Sequence, residues 1–175
     1  LTTPDSIDIN RMLRQMVDNG VKYCLMEVSS IALILKRVYG LKFEEGIFTN
    51  LTSEHLDLHK TMGNYFEAKK ILFDILPEGS FAVSNKDDIY GENILKDTVA
   101  EKIYYGVDNF DADVRAENII LKMDGCEFDL ITQYGKKRVE TTLTGRFNVY
   151  NILAVVAGLR VLKVDEEIIF DALKN

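Results

Sequence analysis

Phe48–Phe73 reads FTNLTSEHLDLHKTMGNYFEAKKILF. It opens on the end of a stretch that reads as a strand, Phe43–Thr49, closed by Asn50. It then passes through a polar stretch and a turn at Met62–Gly63–Asn64, and finishes in a helical pattern of Tyr65, Ala68, Leu72, Phe73 and Leu76. A strand, a polar excursion and a helix that packs back on the sheet are the parts of a parallel α/β crossover. Both histidines of the chain, His55 and His59, lie in the excursion, interleaved with Glu54 and Asp57. At i and i+4 they can share one helix face, a spacing that suits a two-histidine metal site; each alone can equally serve as a cap or a core hydrogen bond.

Upstream, Thr3 is expected to cap a helix with Pro4 in its first turn, and Ile9, Met12, Leu13, Met16 and Val17 recur at helical spacing up to Asn19–Gly20. Val21–Met26 is mostly apolar and reads as a buried parallel strand with Glu27 at its carboxyl end. A helix over Ala32–Val38 would then complete a right-handed βαβ unit with Phe43–Thr49. Glu27 and Asn50 would share the rim where such sheets bind ligands.

Downstream, Phe81–Val83 and Lys102–Tyr105 read as short strands with a helix at Ile89–Leu95 between them. Val114–Lys122, Cys126–Gln133 and Arg138–Leu143 alternate around turns at Asp124–Gly125 and Tyr134–Gly135, the pattern of an antiparallel meander. Gly145 opens a helix that runs to about Leu162, and Asp165 caps another. The fold class is therefore α/β: a mostly parallel, Rossmann-like sheet flanked by helices, built from 1–106 and 145–175, with a smaller antiparallel meander at about 112–144.

With 175 residues and nearly half of them apolar, the chain can bury one core. A net charge of −7 argues against sequence-independent nucleic-acid binding. Cys24 and Cys126 fall in stretches read as strands and fit a reducing compartment. No apolar run has membrane-spanning length. The chain begins without Met and stops inside a helical pattern, so a segment of a longer protein is expected. Neither GxxxxGK(S/T) nor GxGxxG occurs in it.

Several residues carry two readings. Glu27 is a metal- or phosphate-side carboxylate, or a solvated junction residue. Ser29 and Ser30 cap the next helix, or bind a carboxylate or phosphate. Lys69 reaches the rim, or snorkels on the surface. Asn148 and Asn151 cap a helix, or read a base edge through their amides.

Taken in order and spacing, TTPDS (2–6), MEVSS (26–30), FTNLTSEHLDLH (48–59), YFEAK (65–69) and GRFNVYN (145–151) resemble the central domain of the Mur ligases. The nearest branch adds the third amino acid of the peptidoglycan stem peptide, and the resemblance spans essentially the whole chain. It implies a cytoplasmic, ATP-dependent ligase of cell-wall synthesis. ATP phosphorylates the carboxylate of a UDP-MurNAc-dipeptide, and the amine of lysine or diaminopimelate attacks the acyl phosphate. The resemblance also assigns roles. Glu27 and His55 would hold Mg2+, and Lys69 would be carbamylated by CO2. Thr2, Thr3, Ser29 and Arg37 would bind the UDP-linked substrate, and Asn148 and Asn151 the adenine side of ATP. Ile31 and Leu35 depart from the branch, which commonly has His and Gln there. A phosphate loop upstream of Leu1 and a C-terminal domain are expected parts that this chain does not contain. The chain alone is therefore expected to be inactive and, with its sheet edge uncovered, to self-associate, whereas the full-length protein is expected to be a monomer. Related ligases of the folylpolyglutamate-synthase or cyanophycin-synthetase type, and a non-catalytic nucleotide-binding module of the same fold, stay open as alternatives.

Overall fold

The computed structural model describes residues 2–53 and 56–173. Its frame is one six-stranded sheet in the order β1 (Glu45–Phe48), β2 (Phe81–Asn85), β3 (Glu101–Gly106), β4 (Val114–Lys122), β5 (Gly125–Thr132) and β6 (Gly135–Thr141). The first three ladders are parallel and the last two antiparallel. The meander is therefore not a separate small sheet, as its change of pattern suggested. It continues the parallel sheet through a short β3–β4 ladder, with pairs only at Tyr105–Val114 and Gly106–Arg115. Asn118, at φ 51°, sits in the irregularity that shifts the β4–β5 register between Glu117 and Ile120.

Side-chain alternation distributes the strands between two cores. On one face Val83, Val114, Phe128, Leu130 and Val139 meet Val149, Leu153 and Ala157 of α5 (Arg146–Val161), and Phe170 of α6 (Glu166–Leu173). On the other, Phe48 and Ala82 meet Tyr65, Phe73 and Leu76, brought by α4 (Met62–Asp74) and its C-terminal end, together with Ile94 and Leu95. Adjacent residues Ala82 and Val83 thus serve opposite cores, the period of two that a strand imposes. A third, small cluster of Ile9, Leu33 and Val38 joins α1 (Ser6–Asp18) to α2 (Ser30–Ile34), with Met26, Val28, Ile71 and Leu72 against it.

Four local expectations are corrected. Val21–Met26 is not a strand: it runs without sheet pairing, and Val21, Tyr23 and Leu25 are exposed, Leu25 at 84%. Apolar, β-prone residues become a strand only when a neighbour completes their ladder, and among the described residues β1 is laddered on its β2 side alone. Cys24 is accordingly exposed, whereas Cys126 on β5 is buried. α1 is capped by Asp5, whose carboxylate accepts from the Ile7 and Asp8 N–H groups; Thr3 spends its hydroxyl elsewhere. Ile89–Leu95 forms only a 3-10 turn at Asn93–Leu95. There Asp88 accepts from Tyr90 N–H and from Leu51 N–H, holding the segment in a side-chain turn that competes with helix. α2 is also shorter than expected: it ends at Ile34, and Lys36 turns the chain at φ 55°.

α5 runs antiparallel to β1–β3. Tyr150, near its start, reaches the loop after β2, and Gly158, near its end, lies against Glu45 at the start of β1. Its N-terminus therefore stands at the carboxyl rim of the parallel strands. The crossover from β1 also brings the start of α4 to that rim.

Candidate functional site

The rim is built from three chain segments that leave β1, β2 and β3, stitched together by side chains. The Asn85 amide donates to Thr49 O (3.1 Å), and the Tyr105 hydroxyl donates to Phe48 O (3.1 Å). Asp87 accepts from the Val107, Asp108 and Asn109 backbone N–H groups, from the Asn109 amide (2.7 Å) and from the Tyr150 hydroxyl (2.9 Å). Burial alone would push the Asp87 carboxyl up; the Asp108 and Val107 N–H groups, Asn109 and Tyr150 outweigh it and hold it below the usual carboxylate range. Gly106 is the residue that permits this. A Cβ there would lie 3.0 Å from Asp87 Oδ1.

Next to this loop stands the first turn of α5. Gly145 enters it at φ 86°, a conformation that suits glycine. Arg146 pairs with Asp108 at 2.6 Å. The Asn148 amide donates to Thr144 O (2.8 Å), and the Asn151 amide donates to Asn148 Oδ1 (3.1 Å). The two asparagines are thus brought together on an exposed turn of the rim.

A second group assembles around the segment after α1. Thr3 is 1% exposed; its hydroxyl donates to Glu27 O (2.9 Å) and accepts from Ser29 N–H (3.1 Å). Arg37 donates to Thr3 O at 2.9 Å. Ser29 Oγ accepts from Ala32 N–H (3.3 Å), so it also caps α2. The sequence-expected Thr3, Glu27, Ser29 and Arg37 therefore converge. Thr2 is exposed beside them in the chain, and the Glu27 carboxylate is exposed while its carbonyl is held.

Lys69 lies in mid-α4 with its ammonium 5.3 Å from the centre of the Tyr65 ring. His55 lies outside the described residues. Among the described residues no three His, Cys, Asp or Glu side chains converge as a metal cluster. His59, at the end of α3 (Leu56–His59), turns inward: its Nε2 is 2.9 Å from Ser30 Oγ, and its ring stacks on Tyr65. Sequence reasoning left Asp87, Tyr150 and the Ser30–His59 contact unassigned. The only local signal was the polar run Asn85–Asp88; the partners lie 20 to 63 positions away.

The arrangement is that of an α/β domain with polar groups gathered past the carboxyl ends of parallel strands, where such folds commonly bind ligands, and a helix N-terminus beside them. The chain belongs to the Mur ligase family: the family's sequence profile, Mur ligase middle domain, matches residues 1–159. UDP-N-acetylmuramoyl-L-alanyl-D-glutamate--2,6-diaminopimelate ligase of Clostridium botulinum is 42% identical over 174 residues, 99% of this chain and 35% of that protein. The ligase of the same name from Bacillus velezensis is 45% identical over 163 residues, 89% of this chain and 33% of that protein. A solved structure of a ligase of that name superposes with a TM-score of 0.90 at 28% identity, covering 98% of this chain and 36% of the other. The chain thus spans about a third of the length of the curated relatives it matches. Among the described residues no helix is long and apolar enough to cross a membrane.

Proposed function

We propose that this chain is the central part of a cytoplasmic, ATP-dependent ligase that joins 2,6-diaminopimelate to UDP-MurNAc-L-Ala-D-Glu in peptidoglycan synthesis. The observation that carries the reading is the family match over residues 1–159, a range that includes the TTP, EVSS, YFEAK and GRFNVYN segments. The relatives' names support the choice of diaminopimelate over lysine. In the reaction, the substrate carboxylate attacks the γ-phosphorus of ATP and ADP leaves. The amine then attacks the acyl carbon and loses a proton, and the C–O bond breaks as phosphate departs with its electron pair. Such chemistry is mainly positioning and charge neutralisation.

The chain's own residues have distinct tasks in this scheme. Asn148 and Asn151 present amide edges to the adenine. Ser29, Thr2, Thr3 and Arg37 shape the segment facing the UDP-linked substrate. Lys69, as a neutral amine, forms an N–C bond to CO2 and releases a proton, so a cation becomes a carboxylate-bearing arm. The oxygens of that arm and of Glu27 suit a hard cation, with His55 as a further ligand. Bound Mg2+ would supply neutralisation of the phosphate charge.

The test uses the full-length protein. Lys69→Ala is expected to abolish ATP-dependent condensation, and formate or acetate to restore part of it. Undiminished turnover by Lys69→Ala would refute the carbamate role. The isolated 175 residues are expected to give no turnover.

A further inference from the structure

The His59 ring sits between the Glu27–Ser30 segment and the helix that carries Lys69. His59 is 4% exposed. It ends α3, and Lys60 then reverses the chain at φ 67° before Thr61 caps α4, accepting from Asn64 N–H. The Asn64 amide donates back to His59 O (2.9 Å), which fixes that reversal. The reversal tucks the imidazole against the first turn of α4. There it stacks on Tyr65, with ring centres 4.6 Å apart and planes 18° from parallel. Tyr65 is itself buried, and one helical turn on, at i+4, the Lys69 ammonium lies over its ring. On its edge, His59 Nε2 meets Ser30 Oγ. Ser30 is buried and follows directly on Ser29, whose backbone N–H is held by Thr3 as the Glu27 carbonyl is.

One ring therefore ties the Glu27–Ser30 segment to the helix that carries Lys69. A phenylalanine at this position would keep the stack but leave a buried serine hydroxyl without this partner; a glutamine would keep a hydrogen bond but lose the planar stack. Histidine supplies both, with few rotatable bonds. We propose that His59 is a positioning residue. Through Tyr65 it fixes the arm of Lys69, and through Ser30 it fixes that arm relative to Glu27. The inference rests on Lys69 acting as the carbamylated arm described above. Its reason for mattering is geometric: reacting groups displaced by about 1 Å lose on the order of a hundredfold in rate.

The experiment compares full-length His59→Phe, Ser30→Ala, the double variant and Lys69→Ala. It follows kcat, KM for the UDP-linked substrate, the Mg2+ concentration for half-maximal rate, and the 13C signal of a lysine carbamate after labelling with 13C-bicarbonate. His59→Phe and Ser30→Ala are each expected to lower kcat about tenfold, raise the Mg2+ requirement and weaken the carbamate signal, with KM within about twofold. The double variant is expected to be no worse than either single one, because both break the same contact. A purely structural role would lower thermal stability while leaving the Mg2+ requirement and carbamate signal of the folded enzyme unchanged. That pattern, or wild-type kcat in both single variants, overturns the proposal. If Lys69→Ala is inactive and rescued by formate while the other variants behave as wild type, the positioning role alone fails. If Lys69→Ala keeps full activity, or the wild type shows no carbamate, the reading beneath it fails and takes this inference with it.

Discussion

Replacing Asp87 should reveal how much of the rim is held by a single carboxylate. Five donors converge on it, three from the backbone of the loop after β3 and two from the Asn109 and Tyr150 side chains. A hydrogen bond to a charged group contributes roughly 1.5–3 kcal/mol. Asp87 is only half-buried, so water recovers much of what Asp87→Ala abandons, and the expected net loss is about 2–4 kcal/mol. For a chain of this size that corresponds to a fall of roughly 6–12 °C in Tm. Asp87→Asn should cost about as much, since its amide turns an N–H toward groups that are themselves donors. The pH dependence supplies a second check. The folded-state pKa is depressed, so the stabilisation is present above the ordinary value of 3.8 and is lost as pH falls through the lowered one. Urea unfolding of wild type and variant from pH 8 down to pH 3 should show a constant gap above about pH 5 that narrows in acid. A gap under about 0.5 kcal/mol, or one that widens in acid, would refute the reasoning. On the adenine-side role proposed for Asn148 and Asn151, the same variants in the full-length protein should weaken nucleotide binding more than binding of the UDP-linked substrate, because Tyr150 shares the first turns of α5 with both asparagines.

Three further outcomes follow from particular contacts. Glu45 has a buried, unpartnered Oε1, and burial pushes its carboxyl from 4.5 up to about 7. The cost of holding it ionised is bounded by about 3.4 kcal/mol; partial solvent access reduces this to about 1.5 kcal/mol. Because the folded-state pKa is raised, the cost is fully present above about pH 7 and vanishes as pH falls toward 4.5. Glu45→Gln should therefore be the more stable protein at pH 8 and equal to wild type near pH 4.5, read as the difference between two urea titrations. Gly106→Ala should destabilise by about 1–2 kcal/mol, because its Cβ crowds both Asp87 carboxylate oxygens; the same substitution placed on Asp87→Ala should cost measurably less. Tyr105→Phe removes the buried hydroxyl that donates to Phe48 O and should lower stability by about 1–2 kcal/mol without changing the far-ultraviolet circular dichroism.

The parts legible in the sequence are those whose signal is local. Val114–Lys122 is the strand its alternation implies, the turns expected at Asp124–Gly125 and Tyr134–Gly135 fall one residue earlier, at 123–124 and 133–134, with each glycine opening the next strand, and α5 starts at the residue after Gly145. Val21–Met26 was misread because a strand is a property of a pair, and the sequence of one member carries no information on whether its neighbour is there. The short helix at Ile89–Leu95 failed for a different reason. Asp88 offers its own carboxylate to nearby N–H groups, which periodicity cannot weigh against a helical bond. Of the residues singled out by type and order, Ser29 caps α2, Lys69 lies on α4, and Asn148 and Asn151 lie in the first turns of α5, whereas Glu27 follows an unpaired segment and does not end a strand of the sheet. The supports beneath them were not legible. Asp87 looks like one acid in a polar loop, and His59 looks like the twin of His55. Only the fold joins Asp87 to Tyr150 across 63 positions, and His59 to Ser30 across 29.

The two-pair ladder between β3 and β4 has a consequence for how force and disorder travel through the molecule. Hydrogen bonding across that seam is thin, while α5 packs against strands on both sides of it. The helix acts as a splint across a weak joint. The meander's pairings are short-range in the chain and able to form first; the parallel half closes longer loops and should wait for the splint. In hydrogen exchange, β4–β6 and the parallel strands should separate into two protection levels when α5 is weakened, for instance by Leu153→Ala, and merge into one when it is intact. Pulled apart along the strand order, the sheet should part first between Gly106 and Val114, and the helix rather than the ladder should set the force.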